Sequence, residues 1–320
     1  MFSWSVFIVS AAGIITRLAL LLYNRSLWLD EACLAMNVLE RTFARLFEPL
    51  DYNQGAPVGF LLASKVMVNL FGPGEMVLRV IPFASGVLLI GFFWLLARQT
   101  LGRKYALAAQ FLISFSPALI YYSTEFKQYA SDALICVFLL LLGLHYIGAD
   151  EKSWAAVWLG LAGTAAMWFS HPALFVLAGI GIVLGIDALR RKDWKALAGL
   201  SVIGLAWLAS FAALYKFSLR PLSYNQVLTD YWMSYFAPLP RSLQDIVWYA
   251  DAFTNMFVQP GGIPFGGLAF FCFTLGSIAL YRQRKIAFFL FLSPFPFLLA
   301  ASGLHLYPFG NRLLIFLLPV

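Results

Sequence analysis

Residues 2–37 have the sequence FSWSVFIVSAAGIITRLALLLYNRSLWLDEACLAMN. The run from Phe2 to Tyr23 is almost entirely apolar, and about 20 such residues in a helix are enough to cross a bilayer. Two adjacent carboxylates, Asp30 and Glu31, follow shortly after this run ends. The stretch therefore predicts a membrane-spanning helix that leads directly into a pair of acids at the membrane surface.

The composition supports a membrane protein throughout. Hydrophobic residues make up 62% of the chain and charged residues 12%, whereas a soluble domain has about a quarter charged residues. We expect an all-α polytopic protein, with residues 1–320 forming one domain. The last apolar run is about half a span long, so either the final helix is short or the sequence is a fragment. About ten spans are expected, at 2–23, 77–97, 105–122, 129–147, 154–170, 172–189, 196–217, 263–281, 286–302 and 310–320.

The basic residues predict the orientation of these spans. Four short connections, 97–105, 149–154, 189–195 and 281–286, hold eleven of the 22 Lys and Arg residues. Short cytoplasmic loops collect Lys and Arg, which places all four connections inside the cell. Residues 24–76 then form the first outer loop and residues 218–262 a large outer loop.

The first outer loop is expected to contain two helices that lie in the membrane interface. The segment 56–71 is only 16 residues long and has Lys65 near its middle, and a lysine at the centre of a bilayer is costly. We therefore predict an interfacial helix there, with Lys65 extended toward the headgroups. The segment 32–47 has apolar residues at helical spacing and predicts the other helix.

Four blocks of the sequence resemble those of a known family. They are SLWLDEA (26–32), GAPVGFLLASKVMVNLFGPGEMVLRVIPFASG (55–86), FSPALIYYSTEFKQYA (115–130) and YPFGNRLLIFLLP (307–319). In order and spacing they resemble GT-C membrane glycosyltransferases, in particular the bacterial relatives of dolichyl-phosphate-mannose protein mannosyltransferases and of the lipid A aminoarabinose transferase. The resemblance implies a GT-C-type helix bundle. It also implies transfer of a sugar from a polyprenyl phosphate to an acceptor lipid, glycan or protein, at the outer face of the bacterial cytoplasmic membrane.

The resemblance further implies roles for individual residues. Asp30 matches the family's catalytic acid and would be the general base, and Glu31 matches its neighbour, which would orient the acceptor. Glu125 resembles the acid of the second outer loop, and Arg79 matches an arginine assigned to the donor phosphate. Further candidates for the donor phosphate are Lys127, His171 and Arg312, and candidates for other substrate contacts are Tyr129 and Tyr307.

Each of these residues also has a purely structural interpretation. Asp30 is a favoured residue for capping the helix that follows. Glu125 and Lys127 are close enough in sequence to form a weak surface ion pair. An arginine at the end of a span, such as Arg79, commonly extends to the headgroups, and His171 precedes a proline at the tip of a hairpin.

The sequence gives no support for a metal or another cofactor. No second cluster of Asp and His with ligand spacing accompanies Asp30. A monophosphate donor also needs less charge neutralisation than the pyrophosphate donors for which some GT-C enzymes use a divalent ion. We therefore expect no cofactor, although a divalent metal stays an alternative. The expected partners are the lipid-linked donor, the acceptor and membrane lipids, with no nucleic acid.

Two other functions fit an outer-face membrane protein. A lipid or solute transporter, such as a flippase, would use intramembrane charges such as Arg17 and Asp132 along a pathway. Transporters usually contain two-fold repeats, and we find none here. Asp132 is nevertheless a functional suspect because it lies inside a span, although it is left out of the core site. An O-antigen ligase or polymerase would favour outer loops richer in arginine than 218–262, which contains Arg220 and Arg241.

Overall fold

The computed structural model of the chain describes residues 4–149 and 152–320. It is 79% helical, with no strand in the described residues, which confirms the all-α fold class. Shorter helical turns cover Ala44–Phe47, Tyr215–Leu219, Met233–Tyr235 and Asn311–Leu317. The α-helices are α1 (Trp4–Tyr23), α2 (Leu29–Glu40), α3 (Val58–Phe71), α4 (Glu75–Leu78), α5 (Val80–Phe115), α6 (Pro117–Tyr122), α7 (Tyr129–Gly148), α8 (Lys152–Phe169), α9 (Ala173–Arg190), α10 (Trp194–Leu214), α11 (Arg220–Ser223), α12 (Gln226–Tyr231), α13 (Leu243–Val258), α14 (Gly266–Gln283), α15 (Lys285–Leu292) and α16 (Pro294–Gly303).

The long apolar helices form a bundle around α7. Six helical segments in the described ranges are long and apolar enough to cross a membrane, and they confirm a multi-pass membrane protein. The apolar window of α7 is 56% buried, whereas that of α1 is 22% buried. The helix α7 packs against α5, α8, α9 and the segment 311–317. It is therefore the centre of the bundle, and the apolar side chains of α1 face outward, as lipid contact requires.

The helix α5 consists of two antiparallel halves. Gly102 has a φ of 74° inside α5, a left-handed backbone conformation that glycine adopts without steric cost. Gln110 follows this break and Ile90 precedes it, and the Gln110 side-chain amide donates to the Ile90 carbonyl at 3.0 Å. The two expected spans 77–97 and 105–122 thus form a hairpin that turns within the basic loop 97–105.

The loop at residues 24–76 contains α2 and α3, and each of them differs in one respect from the expectation. The first helix ends at Glu40 rather than continuing to residue 47. The Arg41 guanidinium donates to the carbonyls of Arg45 and Glu48, which bends the chain back after α2. Lys65 does not extend to headgroups, because its ammonium donates to the Leu39 carbonyl at 3.1 Å.

The final apolar run does not form a tenth span. Asn311–Leu317 is a 3-10 helix of seven residues, which at about 2 Å per residue is far shorter than a bilayer core of about 30 Å. Leu314 to Leu317 are buried, and the segment packs against α7. The expectation of a span at 310–320 is therefore wrong, because these apolar residues fill the interior of the bundle.

The two ends of the bundle differ in the residues they hold. The Arg284 guanidinium donates to the Gln99 carbonyl at 2.6 Å, so two of the basic loops meet at one end. Asp30, Lys127 and Arg312 meet at the other end. The first half of α5 runs between these ends and is about 33 Å long at 1.5 Å per residue.

This arrangement predicts opposite accessibility for Asn69 and Lys104, both of which are exposed. In a background without the accessible Cys33 and Cys272, Asn69→Cys should react with a membrane-impermeant maleimide on intact cells. Lys104→Cys should react only after the membrane is opened, because basic loops are retained inside. The reverse labelling pattern would mean that the protein has the opposite orientation in the membrane.

Candidate active site

A cavity of about 390 Å³ lies where α2, α7, the loop before α9 and the segment 305–313 meet. Six of the nine residues predicted from the sequence line it, and the rest of the wall is largely apolar. Gln54 and Asp132 line it as well, although neither was predicted for the site. The predicted lining residues are Asp30, Lys127, Tyr129, His171, Tyr307 and Arg312.

Asp30 lies between two cations in this wall. Its carboxylate is 3.1 Å from the Lys127 ammonium and 3.0 Å from the Arg312 guanidinium. Burial acts to raise the pKa of Asp30, but Lys127 and Arg312 outweigh it, and the pKa lies below its usual range. The residue at the N-cap of α2 is Trp28, so Asp30 does not have the capping role that was its structural alternative.

Arg312 is surrounded by aromatic rings. Its guanidinium carbon lies 5.7 Å from the ring centroids of Trp28 and Trp232, and 5.8 Å from that of Tyr129. A cation over aromatic faces is attracted by their quadrupoles, so the rings and Asp30 together fix the guanidinium. The two tryptophans were not predicted. Trp28 lies two residues before Asp30, which is the signal that identifies it.

Glu31 and Arg79 form a buried ion pair that does not face the cavity. The Arg79 guanidinium donates two hydrogen bonds of 3.1 Å to the Glu31 carboxylate, and both side chains are almost fully buried. Glu31 also accepts a 2.7 Å bond from the Phe126 backbone N–H. Arg79 donates at 2.6 Å to the Arg25 carbonyl. The pair therefore connects the start of α2, the start of α5 and the loop before α7.

Glu125 is also buried beside this pair rather than in the cavity wall. Its carboxyl group accepts a 3.3 Å hydrogen bond from the Trp28 indole N–H. Burial raises the pKa of Glu125 to about 7, with a further contribution from the nearby Glu31 carboxylate. Glu125 and Lys127 do not form the alternative ion pair, because Lys127 contacts Asp30 and donates at 2.6 Å to Gln54 Oε1.

His171 and the two tyrosines lie in the wall without bearing charge. Burial lowers the pKa of His171 to about 4, so its imidazole is neutral near pH 7. It can donate or accept a hydrogen bond, but it is not a cation for a phosphate. Burial raises the pKa of Tyr307 well above its usual value, and its hydroxyl donates at 3.1 Å to the Leu313 carbonyl.

Asp132 is the residue whose position the sequence left open. It is 4% exposed and lines the cavity from the first turn of α7. One of its carboxyl oxygens, Oδ1, has no hydrogen-bond partner. Within residues 4–149 and 152–320, no three His, Cys, Asp or Glu side chains come together in a group suited to a metal ion.

The fold defines the class of protein. Two crystal structures of ArnT from Cupriavidus metallidurans, one in the apo state and one bound to undecaprenyl phosphate, match the chain with TM-scores of 0.62 and 0.63. The sequence identity is 17% in both cases, over 98% of this chain and 57% of the ArnT chain. The chain thus has the GT-C fold and spans little more than half the length of ArnT.

The family follows from the sequence match. A family model described as dolichyl-phosphate-mannose-protein mannosyltransferase matches residues 54–216, and this chain belongs to that family. The match includes Lys127 and His171 but not Asp30 or Arg312. No curated protein matches the sequence. The resemblance inferred from the four sequence blocks is confirmed, and nothing in these comparisons favours a transporter.

The buried pair predicts a stability defect for Arg79→Ala. Removing one partner of a buried ion pair costs about 3–5 kcal/mol, and Arg25, a partly exposed cation 3.5 Å from Glu31, compensates the remaining carboxylate only in part. Thermal unfolding in detergent should therefore show a large loss of stability. Arg45→Ala is the matched control, because Arg45 forms an exposed pair with Glu48 and should cost little. Equal stability of the two variants, with donor binding lost only in Arg79→Ala, would restore Arg79 as a phosphate ligand.

The raised pKa of Glu125 predicts a pH-dependent effect of Glu125→Gln. The folded state favours the protonated carboxyl. The contribution of Glu125 to the free energy of unfolding of the wild-type protein therefore falls as the pH rises from about 5 to about 7. Glutamine cannot titrate. The stability of the variant relative to wild type should therefore increase over that range and become constant above about pH 8.

Thermal unfolding at several pH values measures this difference. Asn69→Ala, an exposed change that removes no titratable group, should differ from wild type by the same amount at every pH. If the difference in stability between Glu125→Gln and wild type is also independent of pH, Glu125 is ionised over the whole range from about pH 5 to about pH 7.

Proposed function

We propose that this chain is a glycosyltransferase that moves a hexosyl or pentosyl group from a polyprenyl-phosphate donor to an acceptor hydroxyl. The observation that supports this most strongly is the position of Asp30 between Lys127 and Arg312 in the cavity wall, at 3.1 and 3.0 Å. Such a transfer needs a base for the acceptor proton and cations for the charge that develops on the leaving phosphate. Asp30 would be the base.

The shape and polarity of the cavity suit an amphiphilic donor. Lys127 and Arg312 provide a cationic end for a phosphate, and most of the remaining wall is apolar, as an isoprenoid chain requires. ArnT, which shares the fold, has been crystallised with undecaprenyl phosphate, a lipid of this chemical class. The apolar part of the wall includes Leu174, Phe175, Phe211, Leu219, Leu222 and Phe236.

The proposed reaction breaks the bond between the anomeric carbon of the sugar and the phosphate oxygen. The acceptor hydroxyl oxygen forms the new bond to that carbon, and its proton passes to Asp30. The electron pair of the broken bond leaves with the lipid phosphate, which gains a negative charge. Lys127 and Arg312, whose side chains are largely buried, would stabilise that charge, because electrostatic interactions are strong at buried sites.

Donor binding would also prepare the base. Without a donor, both cations pair with Asp30 and hold its pKa below the usual range, which makes it a weak base. A donor phosphate that takes over Lys127 and Arg312 removes these partners. Since the pKa of a carboxyl rises when an adjacent positive charge is neutralised, Asp30 becomes more basic only when the donor is bound.

The buried pair of Glu31 and Arg79 holds the segments that carry Asp30 and Lys127. Glu31 is adjacent to Asp30 in sequence, and the backbone N–H it binds belongs to Phe126, which is adjacent to Lys127. We therefore propose that Glu31 and Arg79 are positioning residues, rather than acceptor and phosphate ligands. His171, as a neutral hydrogen-bonding group, and Tyr129 and Tyr307 would contact the substrate.

We place the reaction at the outer face of a bacterial cytoplasmic membrane. Nucleotide sugars are not available there, so the sugar must arrive on a lipid carrier. The tendency of basic loops to remain inside the cell supports the outer side for the cavity. Because Lys127 and Arg312 already supply two positive charges for a monophosphate, we propose no metal cofactor.

The experiment that tests this function is Asp30→Asn. The amide keeps the shape of the carboxyl but cannot accept a proton, and losing a general base typically lowers the rate by about 10²–10⁴-fold. The two cations lose their neutralising partner, so the variant should still bind donor lipid. Mass spectrometry of lipids that co-purify with the protein identifies the donor. Transfer of radiolabelled sugar from that donor in host membranes then gives the rate.

The matched control is Asp187→Asn, since Asp187 pairs with Arg191 near the end of α9 that holds a basic loop. It should transfer sugar at the wild-type rate. If Asp30→Asn retains more than about a tenth of wild-type transfer, the base lies elsewhere. If no polyprenyl phosphate co-purifies and none is consumed, the proposed function itself is wrong.

A further inference from the structure

A second cavity lies beside the first and is lined by different residues. Its volume is about 380 Å³, and it lies between α13, the turn at 234–235 and the segment 309–314. Its polar lining is concentrated on α13, which belongs to the large loop 218–262. The proposed reaction uses none of these side chains.

Three polar side chains form a row at the C-terminal end of α13. Asp251 and Asn255 are four residues apart on α13, a spacing that places side chains above one another on a helix. Gln259 follows immediately after the last residue of the helix, with an extended backbone. All three side chains are exposed, and none of them hydrogen-bonds to another described residue. Trp248 lies one turn before Asp251, and its indole N–H donates at 3.3 Å to the Ser234 carbonyl. The cavity therefore offers an aromatic ring and a row of unpaired donors and acceptors.

This chemistry fits a neutral sugar better than an anion. The amides of Asn255 and Gln259 both donate and accept, and the Asp251 carboxylate accepts, which matches hydroxyl groups that do both. The apolar face of a sugar ring can pack on an aromatic ring such as Trp248. Among the described residues that line this cavity there is no Lys or Arg, so a phosphate would meet only the negative charge of Asp251.

A wall one chain thick separates the two cavities. Asn311 lines the second cavity, whereas Arg312 lines the first. In the same way, Tyr235 lines the second cavity and Phe236 the first. The Phe309 N–H donates at 2.8 Å to the Tyr235 carbonyl, which joins the two segments of the wall. Since consecutive Cα atoms are about 3.8 Å apart, the second cavity adjoins, across this wall, the end of the first cavity that contains Arg312.

We infer that the second cavity binds a neutral saccharide unit of the acceptor, held by Trp248 and by the row Asp251, Asn255 and Gln259. The identity of the occupant as the acceptor rests on the proposed function. The binding of a neutral saccharide does not, because it follows from the lining of the cavity alone. The acceptor would thus be a glycan or glycolipid that is held here by one saccharide unit while its reacting hydroxyl reaches Asp30 in the first cavity around the edge of the wall.

Direct binding tests the inference. The protein is studied in lipid nanodiscs, because maltoside and glucoside detergents carry headgroups of the ligand class. Methyl glycosides of glucose, galactose, mannose and N-acetylglucosamine serve as probes in saturation-transfer NMR. At least one should bind. Asn255→Ala should weaken its binding by about three- to tenfold, as expected for a lost hydrogen bond, and Trp248→Ala should weaken it further.

Two control variants distinguish saccharide binding in the second cavity from donor binding in the first. Gln244→Ala removes an exposed amide from the same helix without altering the lining of either cavity, and it should bind the saccharide as wild type does. Lys127→Ala should lose donor lipid but keep saccharide binding. In a transfer assay, Asn255→Ala should raise KM for the acceptor and leave donor retention unchanged.

The outcomes distinguish this inference from the proposed function. If no methyl glycoside binds, or if Asn255→Ala and Trp248→Ala bind it as wild type does, the inference is wrong even where Asp30-dependent transfer is observed. If inorganic phosphate or phosphoglycerol competes for the second cavity, the inference is also wrong. If a saccharide binds there but no transfer depends on Asp30, the cavity assignment stands and the proposed function fails.

Discussion

The buried pair of Glu31 and Arg79 is the interaction on which the rest of the site depends. An ion pair without water is stable only when its geometry is good and its remaining hydrogen-bonding groups are satisfied. The Phe126 N–H and the Arg25 carbonyl meet that requirement. Because these two groups belong to separate segments, satisfying the pair also determines where Asp30 and Lys127 are placed relative to each other.

Charge in the cavity is balanced in a way that suits exchange. Asp30 neutralises part of the charge of Lys127 and Arg312 while no anion is bound, so the apolar bundle does not hold two uncompensated cations. A phosphate can replace the carboxylate at those cations without adding a buried charge that lacks a partner. The aromatic rings around Arg312 keep its guanidinium in place during such an exchange.

The sequence predicted the bundle, and six of the nine residues it predicted for the site line the cavity, because both predictions depend on local composition. Apolar runs of span length define helices whatever their neighbours, and charged residues such as Asp30 and Lys127 stand out where apolar helices end. The partner of Arg79 was not predictable, since a guanidinium at a span end has the same sequence signal whether it meets a headgroup, a phosphate or Glu31. Asp132, which the sequence marked as a suspect but left out of the core site, and the 3-10 helix at 311–317 were not placed correctly for a related reason. Which face of an apolar segment meets a cavity is decided by packing between helices that are distant in sequence.

The position of Arg312 has a consequence for how the protein is made. Asp30 and Lys127 enter the membrane early in synthesis, while Arg312 lies about 280 residues after Asp30 in the chain. At typical rates of about 5–20 residues per second, roughly 15 to 55 s pass between their appearances. From the synthesis of Lys127 until that of Arg312, the nascent bundle has only one of the two cations of the cavity. The proposed phosphate-binding end of the cavity is therefore complete only after residues 311–317 fold against α7.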